Sequence, residues 1–253
     1  MKRFLLMAVF ALLSIAGFGQ NSSALKFLGI PIDGTQAQFT ASLKAKGFSY
    51  NARTESYQGQ FNGKDVDVYI HTNHNLVDRV YVAFPLNSED NVRVEYNTLL
   101  SQFRKTKKYV ELLPNEAIPE EENLMYEITV NSKRYEAGFY YYAPDKSPQQ
   151  LKDEWLDAAS ENFPAEQVEE MKRVLELPDD ERQAYFGKII AALDSEDVEI
   201  DEDAVKDRIG LFLSTMHSMA DGSVWFMIHE QYGKYRIGLY YDNLHNQANG
   251  EDL

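Results

Sequence analysis

His71 and His74 stand as H-x-x-H, a spacing that lets two imidazoles share a metal ion when both lie on one helix face. Here the pair flanks the end of an expected strand and the turn Asn73-His74-Asn75. A turn histidine is ordinarily solvated, so no metal site is read from it. The run from Asp194 to Asp203 is rich enough in carboxylates to raise calcium. An EF-hand loop needs glycine at its sixth position and a bidentate glutamate at its twelfth, and counting from Asp194 gives Glu199 and Val205. Asp201 or Asp203 capping the next helix accounts for the run better, since carboxylates favour the positive end of a helix dipole. His217, His229 and His245 are isolated, with no carboxylate at a triad spacing. No serine lies in G-x-S-x-G, no glycine-rich phosphate loop is present, and there is no cysteine to act as nucleophile or thiolate ligand. The reading therefore names no catalytic residue, no cofactor and no metal.

The residues most in need of a partner are aromatic. Phe139-Tyr140-Tyr141-Tyr142 is one run, Tyr240 and Tyr241 lie near the end of the chain, and Tyr69 and Tyr81 lie in its first third. Strand alternation puts Tyr140 and Tyr142 opposite Phe139 and Tyr141, so one set faces the core and the other faces away. Tyr69, Tyr81, Tyr140, Tyr142, Tyr240 and Trp225 are the candidate interaction surface. Amphipathic rings on an open sheet face suit a protein or glycan partner; helices laid over that face would make the same rings core.

The elements that must position these rings are legible as periodicity. Gly222 to Asn243 alternates apolar and polar residues on both sides of Tyr232-Gly233, which is a hairpin signal. Earlier, Leu25 to Ile30 reads as a strand turned by Pro31-Ile32-Asp33-Gly34 into helix 35 to 46, with Thr35 and Gln38 as a capping box and Gly47 as the stop. A meander follows: Phe48 to Arg53, Tyr57 to Phe61, Lys64 to Thr72 and Leu76 to Phe84, with Asn62-Gly63 as a tight turn. Ser88 to Lys107 has helical spacing, and Leu124 to Val130 with Arg134 to Tyr142 reads as a further hairpin. Hairpins with matching apolar faces gain more by sharing a core, so 124 to 142 and 223 to 242 are expected in one domain.

Between those hairpins lies Pro144 to Ala220, acidic and helical in texture, with Ser147 and Gln150 as a second capping box and Pro148 at the first helical position. About four helices are expected there, packed on the sheet through Trp155, Phe186, Ile190, Phe212 and Met216. The expected fold class is α+β: an antiparallel β-sheet with helices on one face, and an inserted acidic helical segment. The division is 1–20 signal peptide, 21–143 with 221–253 as the sheet domain, and 144–220 as the insertion.

Lys2 and Arg3 precede an uncharged apolar run from Phe4 to Ala16 and the small-residue step Gly17-Phe18-Gly19. This is the layout of a secretory signal peptide, and the run is too short for an ordinary membrane span. The mature protein is expected to be exported, periplasmic or secreted, without stable membrane insertion. With Lys2 and Arg3 removed, 23 basic residues face 40 acidic ones, a net of −17. Such a surface repels phosphate backbones and anionic lipid, which argues against nucleic acid. The absence of cysteine means that the core, not disulfides, carries stability.

Phe27-Leu28-Gly29-Ile30-Pro31-Ile32-Asp33-Gly34-Thr35, followed by a helix ending Lys46-Gly47-Phe48, resembles the opening of a family of exported proteins of unknown function from gut-dwelling Gram-negative anaerobes. Lys234-Tyr235-Arg236-Ile237 through Tyr240-Tyr241-Asp242-Asn243, with the tail Ala248-Asn249-Gly250-Glu251-Asp252-Leu253, is similar to that family's ending. The acidic insertion departs from the pattern. The resemblance implies a helix-plus-antiparallel-sheet fold reminiscent of the beta-lactamase inhibitor proteins, and no established activity. The expected function is a noncatalytic binding or inhibitory module, using a sheet face or the acidic helical surface to engage another exported or envelope protein, or a glycan. The alternative is a cell-envelope hydrolase with fold-assembled carboxylates or His71 and His74.

Overall fold

The computed structural model describes residues 24–106, 108–111, 115–142, 148–178, 181 and 219–248. The leader 1–20, the acidic run 194–203, Ser147, Phe186, Ile190, Phe212, Met216, His217 and the last residues of the tail lie outside them. The fold class is α+β, a seven-stranded antiparallel sheet with helices, beside a two-stranded hairpin.

The small hairpin comes first: β1 (Lys26–Phe27) and β2 (Ile30–Pro31), where a single strand was expected. Leu28 and Gly29 both have positive φ, 51° and 78°, so the chain turns back within the apolar run. Helix α1 (Gln36–Ala45) then starts at the expected capping box: Thr35 accepts from the Gln38 amide, and the Gln38 side chain accepts from the Thr35 amide. The meander is β3 (Ser49–Asn51), β4 (Ser56–Phe61), β5 (Lys64–Asn73) and β6 (Leu76–Ala83). Helix α2 (Glu89–Lys105) is capped by Ser88, with Glu89 and Asp90 in its first turn and Arg104 and Lys105 in its last, which suits both ends of its dipole.

Leu124 to Val130 is the clearest correction. It forms helix α3 (Leu124–Thr129), not a strand. Leu124 and Ile128 are four apart, a spacing that fits period two and period 3.6 equally well. Asn123 settles the choice by accepting a hydrogen bond from the Tyr126 amide at 2.9 Å, an N-cap that only the helix can use. The hairpin expected there is replaced by β7 (Glu136–Tyr141), which pairs with β8 (Gly222–Gln231), and β8 pairs with β9 (Lys234–Asn243).

The sheet order is β3-β4-β5-β6-β9-β8-β7. The strands on either side of the acidic segment therefore share one sheet, as expected. Each half of the sheet is preceded by a helix and built outward from its last strand, so that β6 and β9 meet at the centre. Four two-residue turns, Leu28-Gly29, Asn62-Gly63, His74-Asn75 and Tyr232-Gly233, have positive φ at both positions, the twist-matched geometry for hairpins.

One face of the sheet is the core. Val68, Val80, Val82, Leu239, Tyr241, Val224, Phe226, Phe139 and Tyr141 are buried there with Phe39 and Leu43 of α1 and Val92, Tyr96, Leu99, Leu100 and Phe103 of α2. The free edge of β7 is occupied from within the chain. Val110 exchanges both backbone hydrogen bonds with Tyr140 at 2.8 Å. The Asn115 side chain likewise accepts from the Gly138 amide and donates to its carbonyl, at 2.8 and 3.1 Å. An edge strand blunted in this way is closed to strand addition at those positions.

The sheet forms one compact unit, and a second contains α4 (Pro148–Asn162) and α5 (Ala165–Glu176). Of the four helices expected in the insertion, these two lie among the described residues. Within that unit Trp155, Ala159, Val168 and Val174 are buried; Trp155 and Ala159, four residues apart, share one face of α4. No helix among the described residues is long and apolar enough to cross a membrane.

Candidate functional site

Alternation sends Tyr69, Tyr81, Tyr240 and Trp225 to the sheet face opposite α1 and α2. The strand pairing puts them on a single rung: Tyr69 is opposite Tyr81, Tyr81 opposite Tyr240, and Tyr240 opposite Trp225. Their rings stack in sequence, with centroids 5.5, 4.7 and 3.8 Å apart and interplanar angles of 23°, 16° and 7°. Cross-strand aromatic pairs stabilise a sheet by up to about 1 kcal/mol each. The ladder depends on an irregularity. A bulge between His71 and Thr72 places Asp78 as the extra residue of β6, so that His71 faces Arg79 and Tyr69 faces Tyr81. Without it Tyr69 would fall opposite Val80 and the row would break, because a one-residue slip exchanges the faces.

Two polar groups brace the ladder from its sides. Arg79 reaches along it and donates from Nε and an Nη to Asp242 at 2.5 and 3.0 Å. Its guanidinium lies 5.7 Å from the ring centroids of both Trp225 and Tyr240. Asp242, only 3% exposed, also accepts from Trp225 Nε1 at 2.8 Å. The hydrogen bond to Asp242 holds the Arg79 guanidinium above its ordinary range. On the other side Gly238 leaves room for two rings: a Cβ there would stand 2.8 Å from His229 Nε2 and 3.0 Å from the Tyr81 ring.

His229 uses that room to place Nε2 3.1 Å from the Tyr240 hydroxyl. Burial, then the charges of Arg236 and Arg134, push the His229 imidazole below its ordinary 6.5. A neutral ring keeps Nε2 paired with the Tyr240 hydroxyl in either tautomer. Burial, then the neighbouring Tyr240 phenol stacked on it at 4.7 Å, pushes the Tyr81 phenol up to about 12.

This arrangement has a pH signature. The unfolded chain protonates His229 at its ordinary value while the folded chain resists, so the stabilisation is complete above 6.5 and is lost as pH falls through the lower folded value. Urea unfolding at about pH 7.5 and about pH 5.5 should show a larger loss for the wild type than for His229→Gln. Equal losses would mean that His229 is not held neutral.

The sequence-derived candidates divide. Tyr69, Tyr81, Tyr240 and Trp225 form the ladder. Tyr140 is on the same face, on the neighbouring row opposite Ser223, half-buried. Tyr142 is 6% exposed and offers no surface. His71 donates from Nδ1 to buried Asp78 at 2.7 Å, while His74 occupies the β5–β6 turn with φ 49°. His245 pairs through Nε2 with Asp221 at 2.9 Å. Among the described residues no three His, Cys, Asp or Glu side chains converge as a metal site. Sequence reasoning missed Arg79, Asp242 and His229. Position relative to the last turn could have found part of this, since Trp225 and Tyr240 stand equally far from Tyr232-Gly233 and so must be partners in a two-residue hairpin.

No family model, curated protein or solved structure matches the chain.

Proposed function

We propose that the protein is an exported, noncatalytic binding module that engages another protein through the aromatic face of its sheet. The observation that carries the reading is the four-ring ladder with its Arg79–Asp242 brace. Rings already locked by stacking lose little rotamer freedom when a partner covers them, and tyrosine and tryptophan are the side chains that dominate binding energy at protein surfaces. An inhibitory module would use the same surface. The resemblance to an exported family and the leader-like start of the sequence support the location.

Hydrolysis needs an acid, a base and a concave place for substrate. His71–Asp78 supplies a positioned imidazole, but its histidine side chain is 70% exposed. A shallow concavity of about 780 Å³ lies elsewhere, along the outward face of α2, and is lined by Arg93, Asn97, Ser101 and Lys105.

The test is retention on an array of basic peptides, acidic peptides and polysaccharides. Tyr81→Ala and Trp225→Ala should each weaken retention about tenfold or more, while Val94→Ser, on the exposed side of α2, should not. Retention indifferent to both ring replacements sinks the reading. Conversion of an arrayed polymer or peptide that His71→Ala abolishes would transfer the case to a hydrolase.

A further inference from the structure

The aromatic ladder ends one rung early. On β7 the residue opposite Trp225 is Gly138, the fifth position of the row Tyr69, Tyr81, Tyr240, Trp225. Among the described residues, only Trp225 Cβ, at 4.0 Å, comes within 4 Å of where a Cβ of residue 138 would stand. One face of the indole is covered by Tyr240 at a ring separation of 3.8 Å. Its other face looks across the space above Gly138. Because the rings stand face to face, the inner rings offer only their edges, and this is the end of the ladder at which an indole face is available. The gap is one strand wide, about 4.8 Å, and takes a single planar group.

The surroundings select the kind of group. Glu136 and Tyr140 are two residues from Gly138 on the same face of β7 and so stand at either end of the gap. The Glu136 carboxylate is half exposed and shared with Arg134 at 2.9 Å, an exposed pair that exchanges at little cost. The whole chain carries a net charge of −15. Across the same indole, Arg79 already lies beside the ring while forked onto a carboxylate.

Resting on the binding-module reading, we propose that the gap above Gly138 is a subsite for an arginine side chain of the protein partner, its guanidinium stacked on the outer face of Trp225 and paired with Glu136. A guanidinium is planar, stacks on aromatic faces and forks onto carboxylates, which the compact lysine ammonium cannot do. Tryptophan is the strongest of the aromatic faces for a cation. Gly138 hydrogen-bonds Asn115 through both of its backbone groups, so the floor asks nothing of the ligand but shape.

The experiment follows the indole N–H resonances in two-dimensional NMR during titration with N-acetylarginine methylamide, its neutral citrulline isostere and methyl glucoside. The chain has two tryptophans, and Trp155 serves as the internal control. Arginine should move the Trp225 resonance saturably and leave Trp155 in place, and citrulline and glucoside should not move Trp225. Gly138→Val fills the gap and should abolish the shift while leaving thermal stability equal or higher, since a branched side chain suits a strand better than glycine. If that variant folds poorly, Glu136→Gln decides: it should weaken the arginine affinity about three- to thirtyfold. An unsaturable shift, a shift that survives Gly138→Val, or an equal response to glucoside overturns the arginine subsite. Array retention that is lost in Trp225→Ala but kept in Gly138→Val would sink the subsite while leaving the binding-module reading intact.

Discussion

Phe226→Ala should destabilise the sheet unit by about 3–5 kcal/mol, the range for deleting a buried phenylalanine. Phe226 is fully buried at the middle of β8. Its ring touches Tyr96 and Phe103 of α2 at centroid separations of 5.1 and 5.8 Å and Phe139 of β7 at 6.5 Å. It is therefore the residue through which α2, β7 and β8 share one core. The replacement leaves a cavity walled by rings, which close-packed surroundings refill only partly. Urea unfolding followed by near-ultraviolet circular dichroism measures the cost in the sheet. A loss under about 1 kcal/mol would mean that α2 does not seal the strands beyond β9.

Why Phe226 could be found from sequence, and the ladder could not, comes down to the range of the information. Phe226 follows from local alternation within the last hairpin. Helix α1 follows from Thr35 and Gln38, and the α2 stripe from Val92, Tyr96, Leu99 and Phe103, each determined by residues within a turn or two. The Tyr81–Tyr240 contact joins strands more than 150 residues apart, and no local signal says that β6 and β9 are neighbours. The bulge at Asp78 is equally silent, although it decides which residue Tyr69 meets. Leu124 and Ile128 misled because their spacing fits two periods, and the cap that separates the two readings is a single asparagine. Tyr142 is beyond the end of β7, where alternation no longer determines exposure.

The Arg79–Asp242 pair permits a sharper test than any single replacement. Arg79→Met leaves a carboxylate that is 3% exposed without its cation, holding only the Trp225 N–H. Breaking a fully buried pair costs about 3–5 kcal/mol. Arg79 is 40% exposed at its side chain, so water reaches one partner and about 2–4 kcal/mol is the expected loss. Asp242→Leu alone leaves a guanidinium that can turn to solvent, and should cost less. The double variant removes the charge that Arg79→Met strands and substitutes apolar contact against Trp225 and Tyr240. It should therefore be more stable than Arg79→Met by about 1 kcal/mol or more. Urea unfolding of the four chains forms the cycle. If the double variant is the least stable, with the two losses simply adding, then Asp242 is not desolvated under the ladder and the brace assigned to it fails.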